Sequence, residues 1–149
     1  MPHRRGAVRA LIAAAAVPGL TGAAPASEDV VATVTGLRSD KGQVLACMTA
    51  RPKSFPDCDD DPDAHRLAIP AGETVRLDFG PVAMGRYAIA IIHDENGNGK
   101  LDKRLTMPRE GYGFSNDAPV RMGPPSFEAA AFEVSGTRAR LSIKMRYMF

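Results

Sequence analysis

Three oxygen-bearing side chains, Asp94, Asn96 and Asn98, stand at alternate positions in the run His93-Asp94-Glu95-Asn96-Gly97-Asn98-Gly99-Lys100-Leu101-Asp102. Oxygens spaced this way on a tight loop can surround a hard cation, and calcium is the ion such loops suit. Gly99 permits the sharp turn, Lys100 can contribute its backbone carbonyl, and Asp102 arrives at the ninth position. Position twelve is Leu105 where a helix-flanked calcium loop would carry a bidentate Glu. The expected affinity is therefore that of an extracellular module, roughly 10⁻⁴ to 10⁻³ M. The alternative is an Asn-Gly-Asn-Gly turn that binds nothing, because Asn and Gly readily adopt positive φ.

Directly after this loop, Glu110 to Asn116 interleaves Gly111 and Gly113 with Tyr112 and Phe114, followed by Ser115. Rings on a glycine-rich backbone can stack on a sugar or peptide, or fold back to cover the core. We take Glu110, Tyr112, Phe114, Ser115 and Asn116 as the candidate partner surface, for a protein, peptide or glycan. A catalytic reading would have to use His93, Asp94 and Glu110 as a small hydrolase or isomerase. The chain contains no Gly-x-Ser-x-Gly elbow and no base placed for Ser115, so no catalytic residue is assigned. The carboxylates Asp57, Asp59, Asp60, Asp61 and Asp63 read as a solvated loop before they read as a second cation site.

The elements that position these groups follow a period of two. Val75, Leu77 and Phe79 alternate with Thr74, Arg76 and Asp78, marking a half-buried strand. Gly85 to His93 is apolar on both faces, which predicts a central strand running straight into Asp94. Val30 to Leu37 and Gly42 to Ala50 read as a hairpin through Ser39 to Gly42, and Ala129 to Val134 and Thr137 to Tyr147 as another through Ser135-Gly136. In the last run Ala139, Leu141, Ile143, Met145 and Tyr147 face inward, with Arg138, Arg140, Lys144 and Arg146 outward as a solvated stripe. Six or seven strands and no strong amphipathic helix indicate an all-β, antiparallel sandwich, with long connections over Arg51 to Asp63 and Asp94 to Ser126.

Residues 1–26 have the layout of a secretory signal: Arg4, Arg5 and Arg9, an apolar run from Ala10 to Val17, then Ala24-Pro25-Ala26. Cleavage there leaves one domain over 27–149, in the periplasm or secreted. It removes three of the 19 basic residues and none of the 17 acidic ones, turning a net charge of +2 into −1 and leaving no electrostatic case for nucleic acid. The apolar run is shorter than the roughly 20 residues of a membrane span, so no transmembrane span is expected in the mature protein. In an oxidising compartment the two cysteines, Cys47 and Cys58, are expected to pair.

Tyr87-Ala88-Ile89-Ala90, the run from His93 to Asp102, and Pro108-Arg109-Glu110-Gly111-Tyr112-Gly113-Phe114-Ser115-Asn116 together resemble the exported bacterial family known as domain of unknown function 2141. Gly36-Leu37-Arg38, Lys41-Gly42-Gln43 and Phe127-Glu128-Ala129-Ala130-Ala131-Phe132 extend the resemblance over nearly the whole mature chain. It implies a small prealbumin-like or Ig-like β-sandwich, similar to surface modules some of which hold calcium in Asp-x-Asn-x-Asp-Gly loops. It brings no established activity. The combined expectation is an exported, non-enzymatic binding or structural module of the cell envelope with a calcium-stabilised loop at Asp94, Asn96, Asn98, Lys100 and Asp102.

Overall fold

A computed structural model describes residues 18–20, 22, 26–100, 103–104 and 107–149. The expected export signal therefore lies largely outside the described residues, and so does Asp102. Strands β1 (Ser27–Thr35), β2 (Gln43–Thr49), β3 (His65–Pro70), β4 (Val75–Ala83) and β5 (Gly85–Asp94) come first. They are followed by β6 (Lys103–Arg104), β7 (Met107–Pro108), β8 (Gly111–Phe114), β9 (Phe132–Val134) and β10 (Ala139–Lys144), with one helical turn, α1 (Phe127–Ala130), before β9. One sheet has the order β10-β1-β4; the other has β3-β2-β5-β8, with β9 also on β5; β6 and β7 form a two-residue ladder of their own.

The all-β sandwich expected from the period-two patterns is present. Val30, Ala32, Val34, Leu77, Ile89, Ile91 and Ile143 are buried in the core between the sheets. Strand β5 is central as expected, paired with β2 along one side and β8 along the other. The inward face of the last run also holds, since Ile143 and Met145 are buried while Arg140 and Lys144 are exposed.

Two expected hairpins are sheet-to-sheet connections. β1 pairs with β4 and β10 while β2 pairs with β3 and β5, so Arg38 to Gly42 crosses between layers. Likewise β9 lies on β5 and β10 lies parallel to β1, so Ser135-Gly136 is a crossover and the sandwich is not wholly antiparallel. Alternation identifies which face of a strand is buried and carries no information about which sheet it joins.

The second sheet is covered on its outer face as well. Ala88, Ala90, Tyr112, Phe114, Ala118, Phe127 and Ala130 form a separate apolar cluster with Phe55 packed against it. Phe55 meets Phe114 and Phe127 edge-on at 5.8 and 6.2 Å between centroids. The small Ala88 and Ala90 leave room on this face for the long connections to settle. Cys47, paired in register with Ala90, forms a disulfide with Cys58 and clips the first connection to the sheet.

Strand β8 explains its own composition. Tyr112 and Phe114 reach into the outer cluster, while Gly111 and Gly113 face the main core at very close approach. A Cβ at Gly111 would lie 2.5 Å from the Tyr147 ring, and one at Gly113 would lie 2.9 Å from Ile143. These glycines are required by packing.

Two outcomes follow. Replacing Cys47 and Cys58 by Ser should lower stability by about 3 kcal/mol, the loop-closure value for this spacing, as read by urea denaturation. Gly111→Ala should cost about 1–3 kcal/mol by overpacking, with the Tyr147 fluorescence environment altered.

Candidate functional site

Strand β5 delivers Asp94 into the interior with no exposed surface, where its carboxylate becomes the acceptor around which the next six residues turn. Oδ1 accepts from the Asn98 amide at 3.1 Å; Oδ2 accepts from the Gly99 amide at 2.9 Å and from Nε2 of Gln43 at 3.0 Å. The Asn96 side-chain oxygen accepts from the Asn98 amide at 3.0 Å, and that of Asn98 accepts from the Lys100 amide at 2.8 Å. All three side chains at alternate positions thus bend the chain by local side-chain-to-backbone bonds. Gly97 and Gly99 take φ of +69° and +75°, which the turn needs and most residues resist.

Burial raises the Asp94 carboxyl, but the bonds from Gln43, Gly99, Asn98 and Gly97 outweigh it and hold it below the ordinary aspartate range. The group is therefore an anion at neutral pH, surrounded by amide donors. Gly42 closes this end of the sandwich: a Cβ there would fall 2.0 Å from the Asp94 carbonyl oxygen, so only glycine lets the crossover pass beneath the loop.

His93 lies on the opposite side of β5 and is fully buried. Its Nε2 is 2.8 Å from the Lys41 carbonyl, an acceptor only, so Nε2 carries a proton. Its Nδ1 is 2.7 Å from the Tyr147 hydroxyl, which also accepts from the Arg38 amide at 3.0 Å. Both ring nitrogens of His93 are thereby engaged, one with the crossover at Lys41 and one with Tyr147 beyond β10. The Arg38 guanidinium lies 4.6 Å over the Tyr147 ring, bonds Glu95 at 2.8 Å through Nε and donates to the carbonyls of Phe149 and Arg109. Ser39 also donates to Glu95, whose own amide donates to the buried Glu110 at 3.1 Å. Burial pushes the Glu95 carboxyl up, and the Arg38 and Ser39 bonds reverse that and lower it.

The expected site residues thus divide. Asp94, Asn96 and Asn98 come together in one turn with the exposed Lys100 at its end, and Asp102 lies outside the described residues. Glu110, Tyr112, Phe114 and Ser115 do not form a surface: they are 5%, 9%, 7% and 0% exposed. Tyr112 and Phe114 enter the outer cluster, and the Ser115 hydroxyl bonds the backbone of Ile89 and Ala130. Asn116 alone is exposed, and its amide donates to the Ala131 carbonyl at 2.7 Å. The rings fold back because β8 must cover the edge of a sheet that is apolar on both faces.

The polar trio proposed for catalysis is likewise engaged internally. Both ring nitrogens of His93 are bonded, and none of His93, Asp94 and Glu110 is more than 5% exposed. Of the acidic run, Asp61 is buried and accepts from Thr49 and from the Asp63 amide, with Arg51 at 3.3 Å. It fastens the disulfide loop. Among the described residues no cluster of three or more His, Cys, Asp or Glu is arranged around a metal position. No described helix is long and apolar enough to cross a membrane.

Gln43, Arg38 and Tyr147 are the residues that sequence reading did not assign to the loop. All three lie on elements remote in sequence, and the only available signal was that Arg38 and Gln43 fall in segments of family likeness. Beside the loop, Arg38, Lys41, Glu95, Asn96, Arg109 and Glu110 line a shallow, polar cleft of about 380 Å³.

A carboxyl lowered in the folded state stabilises the fold above the unfolded aspartate range, and that contribution disappears as pH falls through the folded value. Stability should therefore decline below about pH 4, and Asp94→Asn should flatten this acid limb while lowering stability at pH 7. Urea midpoints measured from pH 2.5 to 7 for both chains check this.

No curated protein and no solved structure matches this chain. The model of a bacterial family described as "Uncharacterized protein conserved in bacteria (DUF2141)" matches residues 32–142, from within β1 to within β10. That span takes in both sheets, the Asp94 turn and the folded-back β8, so the chain belongs to the DUF2141 family.

Proposed function

We propose that this protein is an exported, non-enzymatic β-sandwich of the bacterial envelope, a binding or structural module whose Asp94 loop takes calcium as a stabilising ion. The carrying observation is the turn itself. Oxygens of Asp94, Asn96 and Asn98, at the first, third and fifth positions, each accept backbone amides from the same short segment. Those bonds gather the three side chains on one turn, with Gly99 at the sixth position, where calcium loops require the sharp bend. An ionised Asp94 supplies one charge, and Asp102 and the Lys100 carbonyl are the further donors the spacing offers. With so few carboxylates, affinity belongs in the weak extracellular range.

Export is supported by the composition of residues 1–26 and by the Cys47–Cys58 disulfide, a bond of oxidising compartments. A non-enzymatic role is supported by the use of His93, Asp94 and Glu110 in internal bonds.

Thermal melts in excess chelator and in about 5 mM calcium test the reading. At about five to fifty times Kd the ion should add about 1–2 kcal/mol, visible as a rise of several degrees. Asp102→Asn, which leaves the Asp94 bonds in place, should remove most of that rise without changing the melt in chelator. Identical wild-type melts, with no heat on calcium titration, would reduce the loop to a plain turn.

A further inference from the structure

The two sheets meet along one side and part further on. Beyond the end of β10, Arg146 and Tyr112 of β8 exchange two backbone bonds, at 2.8 and 3.0 Å, which join the sheets. Ser115, just after β8, bonds both Ile89 and Ala130, so β8 and β9 run end to end along the same side of β5. Yet among the described residues β9 pairs only with β5 and β10 only with β1. Between them lies a shallow, open slot of about 390 Å³ lined by Phe132, Glu133, Ala139, Arg140, Leu141 and Ser142, with Asn116 also on its wall.

The β10 edge of this slot has its backbone groups set for another strand. The Met145 amide bonds Thr35 of β1, whereas the Lys144 amide turns the other way and is taken by the Asp117 carboxylate at 2.8 Å. By strand alternation the N–H and C=O groups of Arg140 and Ser142 also point outward, roughly 7 Å apart, and no protein group meets them among the described residues. Their side chains face solvent, while Ala139 and Leu141 turn toward the core side, next to Phe132. Arg140 enters no ion pair among the described residues, unlike Arg138, which holds Asp29.

We propose that this slot accepts a short extended segment of a partner protein, added antiparallel to β10, with an acidic residue opposite Arg140 flanked by apolar residues that pack against Leu141 and Phe132. Main-chain bonds to Arg140 and Ser142 hold the segment and the charge selects it. A second copy of this chain is disfavoured, because edge-to-edge pairing would bring two strands bearing Arg140 and Lys144 together. This interaction is independent of the calcium reading, since the slot uses none of the loop residues.

The test uses the oxidised full-length chain and the blocked peptide Val-Glu-Val-Asp-Val, with amide chemical shifts and calorimetric titration as readouts. The expected result is saturable binding that shifts the Arg140 and Ser142 amides. A Lys-for-acid version of the peptide should bind at least about tenfold more weakly. Ser142→Pro removes an outward N–H and no β1 bond, so it should keep the native melt and lose at least about tenfold in affinity. Arg140→Glu should reverse the preference between the two peptides. No binding at millimolar peptide, binding unaffected by Ser142→Pro, or a concentration-dependent dimer that protects the same amides would each overturn the proposal.

Discussion

The buried carboxylate of Asp94 is the constraint on which this end of the molecule depends. An anion withdrawn from water must be met by donors, and here they come from Gln43 on the neighbouring strand and from the amides of the loop it begins. The same group therefore ties β2 to β5 and shapes the following turn. Gly42 follows as a consequence, because the crossover that brings Gln43 into place passes too close to the Asp94 carbonyl for any side chain. One strand position earlier, His93 performs a parallel task on the other face, joining the Lys41 carbonyl to Tyr147 beyond β10. Arg38 then closes the circuit from Tyr147 to Glu95. Chemistry-bearing residues are concentrated at this end because three crossing segments leave polar backbone there that must be satisfied.

Away from that end the structure is governed by covering apolar surface. Strand β5 is apolar on both faces, so a two-sheet sandwich can bury only one of them. The disulfide loop and the segment after β8 supply a third, partial layer, with Phe55, Phe114 and Phe127 in mutual edge contact. This explains why a chain with 6% aromatic residues spends several of them outside the main core. It also explains why the covering segments are long: each must cross the outer face of a sheet before returning to an edge.

Much of this was legible in the residues. The unbroken apolar run of Gly85 to His93 identified the central strand, the alternation of Ala139 to Tyr147 identified the inward face of β10, and two cysteines identified the disulfide. The Asp94 turn was legible because its bonds are local, made within six residues. What escaped was non-local. The sheet to which a strand belongs depends on partners that period two does not name, so two crossovers resembled hairpins. Gly111 and Gly113 looked like flexibility when they mark close packing against Tyr147 and Ile143, residues more than 25 positions away. Strand β3 went unread because its three inward residues are only partly buried and an acidic run precedes it.

The central claim is that Asp94 is an interior anion held by loop amides. Carbon-13 detection of its carboxyl during a pH titration in chelator tests that claim most directly, with the Gly99 and Asn98 amides followed in the same samples. The account predicts a carboxyl that titrates below the ordinary aspartate range, with both amides shifting at the same midpoint as their acceptor is protonated. A carboxyl that titrates at or above the ordinary value, with amides indifferent to it, would contradict it.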